Sequence, residues 1–234
     1  FKNMLDDKFK KIFKELKFIR VKNEIEYGLP HTHDKAIIFS SNIFNSLFEK
    51  YKLDKNFLEN DLTMIQLISH EQFHIFQRLN SNLIDDLYTN YWNLIKLEQE
   101  LPDFILNVNR SNPDALPNNN WLINLNNSKN KYILPLCIYN TEGSLTSIRN
   151  TKNVYVEVEL VKGKYVFSKD FNLLIENEEF KEYFGEETSN NYHPNELSAS
   201  LFEEIVSYKI GKKNKLDNPA FNKMLEFLSN NDLL

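Results

Sequence analysis

Residues 70–74 read His70-Glu71-Gln72-Phe73-His74, an HExxH run inside a segment, Asp61 to about Leu79, whose pattern is helical. Side chains four apart stack on one face of an α-helix, so both imidazoles can reach a single metal ion. The glutamate between them is close enough to hold the water of such an ion and to take its proton. On the same segment Ile65, Ile68, Phe73, Phe76 and Leu79 are apolar, while Thr63, Gln66, His70, His74 and Gln77 form a narrow polar strip. A helix that is apolar over most of its girth is buried, and a polar strip on a buried helix needs a reason. Metal binding supplies one. Two buried histidines bonded only to their neighbours would leave Glu71 an unexplained buried charge.

The flanking sequence sets this helix in a mixed domain. Asn60 or Asp61 caps it. Before it, Lys35–Ser41 reads as a short buried strand that runs into a helical pattern at Ile43, Leu47, Phe48 and Tyr51. Residues 2–20 read as an amphipathic helix, with Leu5, Phe9, Ile12, Phe13, Leu16 and Ile19 on one stripe, expected to dock on its own domain rather than on a membrane. A short strand is expected at Ile19–Ile25 and a turn at Gly28-Leu29-Pro30. After the motif, Ser81–Leu101 reads as a further helix ended by Pro102. Asn107 to Asn130 reads as loop with one short strand at Trp121–Leu125. Strands follow at Tyr132–Tyr139 and Asn153–Val161, where Val154, Val156 and Val158 alternate with Tyr155, Glu157 and Glu159; Lys162-Gly163-Lys164 turns the chain into Tyr165–Ser168. Helices are expected at Glu178–Phe184, from Pro194 to about Ile210 with Gly211 ending it, and from Pro219. The class is therefore α+β: one domain over 1–234 with an antiparallel β-rich insert at about 107–170.

Composition narrows the function. With 41% hydrophobic and 13% aromatic residues in 234, the chain can bury a sizeable core. A net charge of −5 and the lack of a basic stripe argue against a nucleic-acid partner. No apolar stretch approaches the length of a membrane span. Cys137 is the only cysteine, which excludes an intramolecular disulfide and a cysteine-based zinc site. The chain starts at Phe1 rather than at a methionine, which is compatible with a removed segment. Localisation is open on the sequence, with an exported bacterial protein, periplasmic or extracellular, slightly favoured over a cytoplasmic one.

Two histidines leave a catalytic metal short of one protein ligand. A histidine six residues after the second is absent, since position 80 is Asn. The residues leave Glu196, Glu203, Glu204 and His193 open, with Glu196 the best placed, in the first turn of the helix opened by Pro194. Here a resemblance becomes specific. The pair His-Glu-Gln-Phe-His at 70–74 and Asn-Glu-x-x-Ala-x-x-Phe at 195–202 resembles the glutamate-zincin group of metallopeptidases, and strand–helix–HExxH helix over 35–79 resembles the start of the zincin core. The metzincin pattern is excluded by Gln77 and Asn80. The resemblance implies a zincin-like catalytic core with one Zn²⁺ per chain, held by His70, His74 and Glu196, with Glu71 as general base. It also implies a tyrosine or histidine that steadies the oxyanion; of Tyr183, Tyr192 and Tyr208, Tyr192 is the choice. Two features differ from the thermolysin-like pattern. The stretch from His74 to Glu196 is much longer, and Ser200 stands where those enzymes carry an aspartate that orients a ligand histidine.

The expected function is zinc-dependent hydrolysis of peptide bonds in a peptide or protein substrate. The alternative is a zinc-holding pseudopeptidase that grips a peptide without cleaving it; a metal-free helical protein is the third reading. His31-Thr32-His33 is not expected to hold a second metal. If strand 35–41 is a sheet edge that takes substrate in extended form, His31 or His33 would line the cleft.

Overall fold

The computed structural model describes residues 9–110, 120–124, 130–139, 151–185 and 192–234. Residues 2–8 of the expected N-terminal helix, and 111–119 and 125–129 of the expected loop, lie outside the described residues. The chain divides into two compact units, one of Phe1–Leu83, Ser198–Asp217 and Met224–Leu234, the other of Ile84–Leu197 and Asn218–Lys223.

In the first unit, α1 (Phe9–Ile12) is followed by β1 (Phe18–Val21), β2 (His31–His33), β3 (Ala36–Ser40), α2 (Ser41–Leu53), α3 (Phe57–Asn60) and α4 (Leu62–Leu79). The three strands form a small sheet in the order β1-β3-β2, with β1 parallel and β2 antiparallel to β3. This corrects two expectations. The helix expected over 2–20 gives way to strand by Phe18, because Phe18-Ile19-Arg20-Val21 pairs with Ile37–Ser40. And β3 is the central strand, buried along its whole length, so the edges of this sheet are β1 and β2 and not 35–41. Helix α1 does dock on its own unit: Phe9, Ile12 and Phe13 are buried, and Gln72 Nε2 of α4 donates to Ile12 O at 2.8 Å.

The second unit starts with a helix and turns to strand where a helix was expected. Within Ser81–Leu101 only α5 (Ser81–Asp86) and a π-helical turn at Leu87–Tyr91 are helical, and β4 (Leu94–Leu97) is extended. Asn93 between them has φ 57°, a left-handed conformation that stops a helix, and Leu94–Leu97 pairs antiparallel with Asn120–Ile123. After α6 (Asp103–Leu106) come β5 (Asn120–Ile123), β6 (Lys131–Tyr139), β7 (Thr151–Val161), β8 (Lys164–Phe167) and β9 (Asn172–Leu173), then α7 (Glu178–Phe184). They build a six-stranded antiparallel sheet in the order β4-β5-β6-β7-β8, with β9 on β7. Lys162 and Gly163 have φ 49° and 80°, the paired left-handed residues that a two-residue hairpin between twisted strands requires. The sheet packs Leu97, Leu122, Leu134, Leu136, Val154, Val156 and Val158 against Leu101 and Ile105. It is separate from the three-stranded sheet, and its strands start at Leu94 and end at Leu173, wider than the stretch at 107–170.

Two helices close the chain: α8 (Pro194–Lys209), ended near Gly211 at φ 71°, and α9 (Pro219–Asn230). No helix among the described residues is long and apolar enough to cross a membrane.

Candidate metal centre

Helix α4 begins where a cap allows it. The Asp61 side chain accepts from Met64 N at 3.1 Å, satisfying one of the first-turn N–H groups. Lys50 donates to the same carboxylate, and that bond holds the Asp61 carboxyl below its ordinary range. Helix α8 has a different start. Pro194 opens it, His193 Nδ1 accepts from Asn195 N at 3.1 Å, and His193 O accepts from Leu197 N at 3.0 Å. His193 is thus the cap of α8 and not a ligand. The boundary between the two units falls inside α8, after Leu197. A helix is one hydrogen-bonded body, so its first turn, with Glu196, is continuous with the rest of α8.

The polar strip on α4 has its partners along α8. Gln66 Nε2 donates to Glu204 Oε1 at 2.9 Å, His70 Nδ1 lies 3.4 Å from Glu203 Oε2, and Gln77 Nε2 donates to Ser198 Oγ at 2.8 Å. Early residues of one helix meet late residues of the other, so the pair is antiparallel and the strip is its seam. Phe73 stacks on Phe202, ring centroids 4.6 Å apart, and Phe202 also meets Phe9 and Phe13.

Within the seam, His70, His74 and Glu196 each offer a ligand atom, all within 4.8 Å of one another. They form the one such group of His, Cys, Asp or Glu among the described residues. The two histidines face each other through Nε2 at 3.1 Å. Two nitrogens on one tetrahedral zinc stand about 3.3 Å apart, given bonds of about 2.0–2.1 Å, so this pair needs almost no rearrangement to share an ion. The far side of each ring is held too. His74 Nδ1 is 2.9 Å from Gln77 Oε1, and Gln77 spends its N–H on Ser198, so its carbonyl oxygen takes the proton of Nδ1 and leaves the Nε2 lone pair of His74 for the ion. Held outer nitrogens and converging inner ones are what a histidine metal site requires. His74 and Glu196 are buried, and His70 is half-buried. The donor set and the geometry therefore fit a zinc ion.

Glu71 is 5% exposed and is not a member of the ligand group. Glu204 is engaged by Gln66 and by Lys213, which donates at 2.7 Å, and stands outside the group. Glu203, a rival for the third ligand position, lies on the outer nitrogen of His70 instead. Tyr192 is half-buried in the turn that leads into α8. Tyr183 is committed elsewhere: its hydroxyl donates to Trp92 O at 3.4 Å, and burial pushes its pKa up to about 12. His31 Nδ1 lies 3.1 Å from Leu29 O and His33 Nε2 3.6 Å from Asp34 Oδ2, neither in a metal group. Cys137 is buried, and burial raises its thiol pKa, which makes it a poor nucleophile.

Sequence reasoning missed three supports of the site. Gln77 lies on the polar strip and could have been suspected from it; Ser198, on another helix, could not. Tyr88, fully buried, donates to Asn195 Oδ1 at 3.3 Å in the first turn of α8; it sits in a stretch read as ordinary helix and carried no signal.

No protein-family model matches the chain, and the comparisons with curated proteins and with solved structures return no match.

Proposed function

We propose that this chain is a zincin-like metallopeptidase that hydrolyses peptide bonds with one zinc ion held by His70, His74 and Glu196. The observation that carries this reading is the convergence of two Nε2 atoms 3.1 Å apart with a buried carboxylate, while the outer nitrogens of both rings are engaged. Zinc bound there would lower the pKa of a water to about 7 and polarise the scissile carbonyl. Glu71, on the same helix and buried, accepts a proton from the attacking water as its oxygen bonds to the carbonyl carbon. The C–N bond then breaks, and Glu71 hands that proton to the leaving amine. Tyr192, four residues before Glu196, is the proposed donor to the oxyanion. The substrate is a peptide or protein.

Glu71→Gln keeps the shape of the side chain and removes the base. It should retain zinc and fold while losing about two to four orders of magnitude in turnover on a mixed peptide library. Unchanged turnover would sink the mechanism. A wild-type protein that binds zinc and cleaves nothing in the library would point to a peptide-gripping module instead.

A further inference from the structure

Resting on the zinc reading above, we infer that Glu203 is the positioning carboxylate of the site: it holds the Nδ1–H of His70 so that Nε2 faces the ion. In the resembling enzymes this work falls to an aspartate four residues after the ligand glutamate, and position 200 here is a serine. Position 203 is seven residues after Glu196, two helical turns on and close to the same face of α8. The seam carries α4 antiparallel to α8, so a residue further along α8 meets a residue earlier on α4. That brings position 203 to His70, and its carboxylate Oε2 lies 3.4 Å from Nδ1.

The neighbours on both helices support the assignment. Glu204, next in the chain, is held by Gln66 and Lys213 and has no histidine contact among its bonds. Ser198 receives Gln77, the partner of His74. The two ligand rings therefore have unlike outer partners, a neutral amide on His74 and a carboxylate on His70. A carboxylate behind an imidazole raises its basicity as a ligand and fixes its tautomer, and loss of such a partner typically costs about 10–100-fold in metal affinity.

The test is the zinc dissociation constant of the full chain, read by competition with a chromophoric chelator, for wild type, Glu203→Ala, Glu203→Gln, Glu204→Ala and Ser200→Ala. Glu203→Ala should weaken zinc by about 10–100-fold. Glu203→Gln keeps an acceptor without the charge and should fall between Glu203→Ala and wild type. Glu204→Ala and Ser200→Ala should stay close to wild type, which separates a specific contact from a general loss of charge or packing on α8. Three results would overturn the inference: Glu203→Ala equal to wild type, Glu203→Ala as devoid of zinc as His74→Ala (a direct ligand), or equal losses in Glu203→Ala and Glu204→Ala. A wild-type chain that takes up no zinc would overturn the metal reading itself, whereas tight wild-type binding with an inert Glu203→Ala would overturn only this assignment.

Discussion

The six-stranded sheet and the α4–α8 helix pair bury different chemistry: the helix pair adds a polar seam to its apolar packing. The buried cluster on the sheet is leucine, isoleucine and valine, with aromatic side chains packed against it. The helix pair buries Ser69, Glu71, Gln72, His74 and Gln77 on one helix, and Asn195, Glu196, Ser198, Ser200 and Ser207 on the other. In the sheet, the strand ladders satisfy the backbone and the side chains need only fill space. In the helix pair each buried polar group costs free energy unless it is bonded: Ser69 and Ser207 bond to carbonyls of their own helices, Gln72 to Ile12 O, and Gln66, His70 and Gln77 reach side chains of the other helix. A seam of that kind is stable without being optimal for stability. It is the region where a change should alter chemistry first, while a change in the sheet should alter stability first.

The largest effect expected from that contrast is on metal. His74→Ala should remove most of the zinc, as read by metal analysis. Chelator should lower the melting temperature of wild type and leave that of the variant unchanged; a ligand at about a hundred times its dissociation constant stabilises a protein by about 2.7 kcal/mol. Full zinc occupancy in the variant would end the ligand assignment and with it the contrast.

Next is the sheet. Leu122 is fully buried in the aliphatic cluster, and Leu122→Ala should destabilise by about 2–5 kcal/mol in denaturant titration. Zinc affinity below the unfolding transition should not change. A weakened zinc site with unaltered stability would show that the two regions do not divide chemistry and stability as argued.

A smaller effect tests how the motif helix begins. Asp61→Ala removes both the cap and the acceptor of Lys50, and should cost about 1 kcal/mol. The Asp61 carboxyl is held low in the folded state chiefly by the Lys50 bond, so its contribution is complete above the ordinary value of 3.8. It is lost as pH falls below 3.8 through the folded value, where the stabilities of wild type and variant should converge. A gap that persists at low pH would assign the effect to something other than the carboxylate.

The smallest lies at alkaline pH. Burial raises Tyr183 to about 12, so the folded state favours its neutral form and that preference is lost as pH rises from 10 towards 12. In an ultraviolet titration of native protein Tyr183 should contribute a step near 12, and Tyr183→Phe should remove that step while changing stability at neutral pH by no more than about 1 kcal/mol. A step that survives the substitution would belong to another tyrosine.

Local signals carried much of this. The HExxH helix, its cap at Asp61, the limits of α8 between Pro194 and Gly211, and the β7–β8 hairpin around Lys162-Gly163 are each set by residues within a few positions of one another, and each was legible. The stretch 87–97 was not. Leu94-Ile95-Lys96-Leu97 suits a helix face or a strand, and the choice rests on pairing with Asn120–Ile123, far along the chain. At Phe18–Val21 the expected helix over 2–20 and the expected strand at Ile19–Ile25 overlapped, and pairing with Ile37–Ser40 decided for strand, which ends at Val21. His31-Thr32-His33 became an edge strand by pairing with Ala36–Ile38 of the central strand.

The site divides along the same line. The spacing of His70 and His74 on one helix, with Glu71 between them, follows from 3.6 residues per turn, a property of the local chain. The place of Glu196 beside them does not, nor does the choice of Glu203 over Glu204 as the partner of His70. Those depend on the antiparallel register of two helices whose contact from Gln77 to Ser198 spans 121 positions. Register between distant helices is settled by side-chain packing, here by Phe73 on Phe202 and by the bonds along the polar seam. No short stretch of sequence contains both sides of that contact.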